Sequence, residues 1–154
     1  IARLGVTVVT QPGFVRERGD GYLRDVDPSD LAWLYRCAGA IDAGIALGGG
    51  TDAPYGDADP WLAMQAAVTR RTLGGALLGA DERLTPERAL ALFTSPAGAP
   101  GGPSRRIAAG TVADLCLLDR PWSLARNALS SEVVRATLVA GRVIWKKGSD
   151  PFFP

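Results

Sequence analysis

Asp52 follows Gly48-Gly49-Gly50-Thr51, and the apolar run Ile45-Ala46-Leu47 precedes those glycines. A carboxylate just past a strand and a sharp turn can bind a metal ion. It can equally take a proton from an activated water and pass it to a leaving group. An aspartate at a turn also caps its own backbone, so type and spacing leave both roles open. The glycines could expose N–H groups to an anion, but neither GxGxxG nor GxxxxGK[ST] spacing is present. The next helix is predicted to begin only near Pro60, too late in the chain for its N-terminus to meet a phosphate held at the glycines.

Asp57, Asp59, Arg70 and Arg71 lie near enough in sequence to form a polar rim around Asp52. Each also has a structural role open to it. Asp59 precedes Pro60 and is most simply a helix cap, and adjacent arginines on a helix point about 100° apart, which usually leaves at least one in solvent. Structural roles are expected for all four. Asp114 lies in the β-rich tail, where an aspartate after Gly110 is expected to hydrogen-bond a turn.

The absences narrow the chemistry further. The 154 residues contain no histidine, so this chain supplies no His general base, no Ser-His-Asp triad and no imidazole ligand. Cys37 and Cys116 are far outside CxxC spacing and are expected as reduced core thiols, which suits a reducing, cytoplasmic setting. With 47% hydrophobic residues, 21% charged residues and a net charge of +1, the chain reads as a soluble globular unit. Nothing in that balance favours nucleic acid or anionic lipid as a partner, and no apolar run reaches the roughly 18 residues of a membrane span.

The elements that would position Asp52 follow from local signals. Gly5 to Thr10 is β-branched and stops at Gln11-Pro12-Gly13, which predicts a buried strand; Phe14 to Val26 is polar and is expected as a loop. Asp27-Pro28 predicts a capped helix running to Gly44, with Leu31, Leu34, Tyr35, Ala38 and Ile41 on one face. Ile45 to Leu47 is the next strand, giving a βαβ crossover. Asp59-Pro60 and Thr85-Pro86 open two more helices. The first carries Trp61, Met64, Ala67 and Val68 inward, and Trp33 is also expected in the core. Ser95 to Ser104 is too rich in Pro and Gly for helix, and beyond it Ala113 to Leu118, Val133 to Val139 and Arg142 to Trp145 are predicted strands. The last two are joined by an Ala140-Gly141 hairpin.

Repeated βα units followed by a β-rich tail suggest an α/β chain: about the last two βα units of a (β/α)8 TIM barrel at 1–104, then part of a small β-sandwich-like domain at 105–154. Two units cannot close a barrel, which needs about 250 residues, so a missing N-terminal part of the barrel is expected upstream of Ile1. In such a barrel catalytic residues stand at the C-terminal ends of strands, where Asp52 is placed.

Gly49-Gly50-Thr51-Asp52-Ala53-Pro54, Asp59-Pro60-Trp61 and Ala67-Val68-Thr69-Arg70-Arg71-Thr72 resemble the last barrel segment of the metal-dependent amidohydrolase superfamily. Leu84 to Leu90, Gly110 to Leu115 and Val134 to Ile144 continue the likeness in order, and the amidohydrolase 3 branch, with its N-substituted formamide deformylase-like enzymes, fits best. The resemblance implies that Asp52 binds or neighbours a divalent metal, with zinc the expected ion, and shuttles a proton from the nucleophilic water to the departing nitrogen. It implies a small-molecule amide-type substrate, histidine ligands on earlier strands, and no activity for this piece alone. A rival expectation, a non-catalytic amidohydrolase-like assembly module, draws on the missing histidines.

Overall fold

The computed structural model describes residues 1–148. Val8–Thr10 (β1) and Leu47–Gly49 (β2) pair in parallel, Val8 opposite Leu47 and Thr10 opposite Gly49. Parallel neighbours require a crossover, and the connection is helical: Gly13–Asp25 (α1), Pro28–Leu31 (α2) and Cys37–Asp42 (α3). The expected βαβ unit is therefore present, but β1 begins at Val8, not Gly5, and is half-buried to exposed where a buried strand was expected, and three further corrections lie inside the unit.

The segment 14–26 is helix α1, not a loop. Its buried side is only Phe14, Val15 and Gly19, too narrow a stripe to stand out among its charges. Gly19 matters here because a Cβ on it would lie 2.5 Å from Thr72 Cγ2, so only glycine admits that approach. The single helix predicted from Pro28 to Gly44 is broken in two. Asp27 caps α2 as expected, its Oδ1 accepting from Ser29 N–H at 2.8 Å, but Tyr35 adopts a left-handed backbone (φ 50°). The Leu34 and Tyr35 carbonyls are turned to the Arg70 guanidinium and not to a helical ladder. Gly44 (φ 74°) ends the segment where predicted.

The third correction concerns the glycines. The strand expected at Ile45–Leu47 runs two residues later, so Gly48 and Gly49 are strand residues. A Cβ on Gly48 would lie 2.7 Å from Pro100 Cβ, and one on Gly49 2.9 Å from Leu92 Cβ and the Phe93 ring. Close packing of a helix and a loop on the strand accounts for both, and no phosphate-holding turn is built from them.

Pro60–Thr69 (α4) and Pro86–Thr94 (α5) start where their caps predict, with Trp61 N–H donating to Asp59 Oδ1 (2.8 Å) and Arg88 N–H to Thr85 Oγ1 (3.3 Å). Trp61, Met64 and Ala67 are buried as expected, while Val68 is half-buried. Each large side chain so buried contributes about 1.5–3 kcal/mol. Trp33, expected in the core, is 66% exposed. At 100° per residue it falls opposite the Leu31/Leu34/Ala38 side, facing solvent, with the Arg36 guanidinium 4.8 Å from its ring centroid.

Ile1–Arg105 forms one compact unit and a second begins at Arg106. The second contains Leu115–Leu118 (β3), Trp122–Ala125 (α6), Val134–Val139 (β4) and Arg142–Lys146 (β5) in an antiparallel sheet of order β3-β4-β5. Ala140 (φ 49°) and Gly141 (φ 79°) form the hairpin turn, the backbone pairing that a two-residue connection of this twist requires. Asp114 Oδ1 accepts from Ala140 N–H at 2.8 Å, the turn-fixing role expected of it. Cys116 is exposed on β3, contrary to expectation, as is its neighbour Leu117, so this strand leaves residues of both faces uncovered. Cys37 is buried, and both thiols are free.

Candidate active site

Asp52 stands three residues beyond β2, at the C-terminal end of the parallel pair. Gly50 N–H donates to Thr10 O (2.9 Å), which carries the pairing one step past the strand before the chain turns. The turn is then closed on Asp52 itself, whose carbonyl accepts from Tyr55 N–H (2.8 Å) and Gly56 N–H (3.1 Å). Asp52 is left-handed (φ 58°), and the Ala53-Pro54 peptide is cis. Its side chain is exposed and, among the described residues, has no hydrogen-bond or ion-pair partner. The turn-aspartate role falls to its backbone carbonyl, which leaves the carboxylate available for chemistry.

Helix α1 supplies the floor beside this loop. Phe14, Arg18 and Tyr22 recur at intervals of four and share a face. The Arg18 guanidinium lies 4.0 Å from the Phe14 ring centroid and donates from Nη2 to Tyr55 O at 3.1 Å. Tyr35 meets Phe14 edge-on (centroids 6.1 Å) and packs on Tyr22 (5.9 Å), with the two hydroxyls 3.0 Å apart. Burial, the Tyr22 hydroxyl bond and the Tyr22 charge raise the Tyr35 pKa above the ordinary phenol value; the Arg18 charge opposes this and the Asp52 charge adds slightly. The phenol therefore stays neutral at physiological pH, and either hydroxyl of the pair can be the donor.

The rest of the expected rim is structural. Asp57 Oδ1 accepts from Asp59 N–H at 2.9 Å, and Asp59 caps α4. Arg71 is exposed and donates to Gly75 O (2.6 Å). Arg70 is fully buried, and its guanidinium donates to Leu78 O (2.8 Å), Tyr35 O (2.9 Å) and Leu34 O (3.0 Å). Burial lowers its pKa, against the Cys37 and Glu82 charges that raise it. Nearby, the Cys37 thiol is pushed up to about 11, chiefly by burial, with Arg70 lowering it and Glu82 raising it. Glu82 is opposed by burial, but bonds from Arg36 and Gly39 N–H and the charges of Arg36 and Arg70 leave its pKa below the ordinary carboxylate value.

Sequence reasoning missed Glu17, Arg18, Tyr22 and the aromatic role of Tyr35, because 14–26 was expected as a loop. The Phe14/Arg18/Tyr22 spacing was the available signal. As a metal site, the residues fit one contact only: Asp52 offers a free carboxylate, but among the described residues no group of three His, Cys, Asp or Glu comes together. The described residues by themselves do not complete a metal centre.

Residues 1–145 match the amidohydrolase family. The chain belongs to it. This amidohydrolase chain is 35% identical over 147 residues to the N-substituted formamide deformylase of Arthrobacter pascens, a match covering 92% of the chain and 27% of that protein. It is also similar to two crystal structures described as uncharacterized metal-dependent hydrolases. The Pyrococcus horikoshii protein has a TM-score of 0.53 and the Pyrococcus furiosus protein 0.50, each at 32% identity. They cover 60% and 61% of this chain and 19% of their own. The amidohydrolase chain thus spans about a quarter of the curated relative it matches and about a fifth of each of these structures.

Proposed function

We propose that this chain is the C-terminal portion of a metal-dependent amidohydrolase that hydrolyses a carbon–nitrogen bond other than a peptide bond, in a small amide- or formamide-type substrate. In this reading β1 and β2 are the last two strands of a (β/α)8 barrel, residues 1–104 belong to it, and 105–154 belong to a small β-rich domain. The observation that carries it is Asp52: an exposed carboxylate without a partner among the described residues, just past the C-terminal end of a parallel strand. That is where barrel enzymes place catalytic groups. Family membership and the likeness to a formamide deformylase support the substrate class.

A divalent ion bound beside Asp52, zinc on the family pattern, would polarise the scissile carbonyl and lower the pKa of a water toward neutrality. Asp52 takes a proton from the attacking water at a carboxylate oxygen. It then delivers that proton to the nitrogen as the C–N bond breaks, so the amine leaves neutral. The left-handed backbone at Asp52 and the turn closed on its carbonyl set where its Cα stands at the strand end. Asp52→Asn in the enzyme that carries this chain removes the proton acceptor with little change in size. The expected result is a loss of turnover of about 10²–10⁴-fold with circular dichroism unchanged. Turnover within twofold of the parent would overturn the assignment.

The reading as a non-catalytic assembly module draws on the lack of histidine and of any three-ligand group among the described residues. Sequencing the gene product that contains this chain decides between them: an HxH pair and two later single histidines ahead of this segment favour the hydrolase, and their absence favours the module.

A further inference from the structure

Helix α1 touches the Asp52 loop at three places beyond the strand pairing. Arg18 Nη2 donates to Tyr55 O at 3.1 Å, Asp57 N–H donates to Glu17 Oε1 at 3.1 Å, and Gly56 sits close enough to Phe14 that a Cβ on it would be 3.1 Å from the ring. Residues 52–55, which lead into these anchors, are exposed, so burial does little to hold them. Yet Asp52 keeps a left-handed backbone (φ 58°). A non-glycine residue in that region is strained, and it persists only where its surroundings over-determine it. The anchors are side chains of consecutive residues, and they grip the loop at Tyr55 and Asp57, just beyond the turn that closes on Asp52.

We propose that α1 clamps the active-site loop, with Glu17 and Arg18 as positioning residues that set the place of the Asp52 carboxylate. The inference rests on the proposed role of Asp52. Arg18 acts at both ends: its guanidinium lies over Phe14 and bonds the Tyr55 carbonyl. Glu17 supplies the acceptor that holds Asp57 N–H. Without them, Asp52 can relax to an ordinary backbone conformation and carry its carboxylate away from the reacting nitrogen. Displacement of a reacting group by about 1 Å costs on the order of 10²-fold in rate.

The test compares the parent enzyme with the double variant Glu17→Met/Arg18→Met and the conservative pair Glu17→Gln/Arg18→Lys, which keeps an acceptor and a cationic donor. Amide hydrogen exchange followed by mass spectrometry reads the loop directly, and steady-state kinetics read its consequence. The methionine variant is expected to raise exchange in 50–58 at least roughly fivefold, with that of α4 unchanged, and to lower kcat about 10–100-fold with KM within twofold. The conservative pair is expected to restore most of both. Unchanged loop exchange, or faster exchange with unchanged kcat, overturns the proposal. Faster exchange throughout α1 and α4 overturns it as well, because the side chains would then be holding the helix and not the loop. Failure of the Asp52 role appears separately, as full turnover in Asp52→Asn.

Discussion

Arg70→Met should make Cys37 about a hundredfold easier to label. Arg70 is the sole partner, among the described residues, of the Leu34, Tyr35 and Leu78 carbonyls. The Leu78 bond is buried and the other two are part-buried. Leaving the buried carbonyl without a donor costs about 2–3 kcal/mol and the part-buried ones, which water can reach, about 1 kcal/mol or less each. Methionine also removes a guanidinium whose own burial was unfavourable, which offsets roughly 1 kcal/mol and leaves a net loss of about 3 kcal/mol. Cys37 lies two residues from Tyr35 and is completely buried. Its thiol reacts only when this segment opens, so the loss converts to about two decades in opening equilibrium. The assay is labelling with a chromogenic disulfide under native conditions, with exposed Cys116 as the internal reference, whose rate should stay constant. Arg70→Lys, which can reach fewer of the carbonyls, should fall between. A change in the Cys37 rate of less than threefold would refute the reasoning and show that packing alone protects the thiol.

Acid should act through Glu82. Its folded pKa is lowered, so its contribution is present above the unfolded value of about 4.3 and is lost as pH falls through the folded one. Because Arg36 bonds Glu82 at 2.8 Å and also stacks on Trp33, tryptophan fluorescence should change below about pH 4, and Glu82→Gln should flatten that limb; an unchanged limb would remove Glu82 as its origin. In β2, Gly49→Ala should destabilise by about 1–3 kcal/mol, since its Cβ would lie 2.9 Å from Leu92 Cβ and the Phe93 ring. Gly50→Ala, whose nearest contact would be Val9 Cγ1 at 3.7 Å, should be close to neutral. Thermal melts of the pair check this, and equal melting shifts would contradict it.

What the sequence made legible was local. Asp27-Pro28, Asp59-Pro60 and Thr85-Pro86 each pair an oxygen acceptor with a residue whose φ is already helical, and each opens a helix. Ala140-Gly141 names a turn by itself, and Asp114 could be assigned to a turn because its surroundings were already β-rich. The βαβ order and the place of Asp52 at a strand end follow from the same signals. The failures share a different cause. Nothing within Pro28 to Gly44 announces that a helix will break at Tyr35, because the group that takes its carbonyls, Arg70, lies 35 residues away. Trp33, by contrast, is exposed for a reason that was readable, since helical spacing puts it opposite Leu31, Leu34 and Ala38. The glycines at 48 and 49 resemble a turn until Leu92, Phe93 and Pro100 are seen against them.

Helix α1 is the instructive case, since its charges hid it and two of them anchor the loop after β2. A helix that buries only Phe14, Val15 and Gly19 gains little from packing, yet its exposed Glu17 and Arg18 hold the loop that carries Asp52. Tyr35 makes the same point from the other side. Its left-handed backbone is held by Arg70, and its ring is held by Phe14 and Tyr22 of α1. Two left-handed residues distant in sequence, Tyr35 by its ring and Asp52 by the loop that follows it, thus both meet the same helix, and backbone strain of this kind persists only where its surroundings hold it. The strand end locates Asp52, and the four-residue stripe of α1 lies against the loop that follows it. A variant that repacks this stripe, such as Phe14→Leu, should therefore disturb the loop of Asp52 more than the pairing of β1 with β2, which hydrogen exchange can resolve residue by residue.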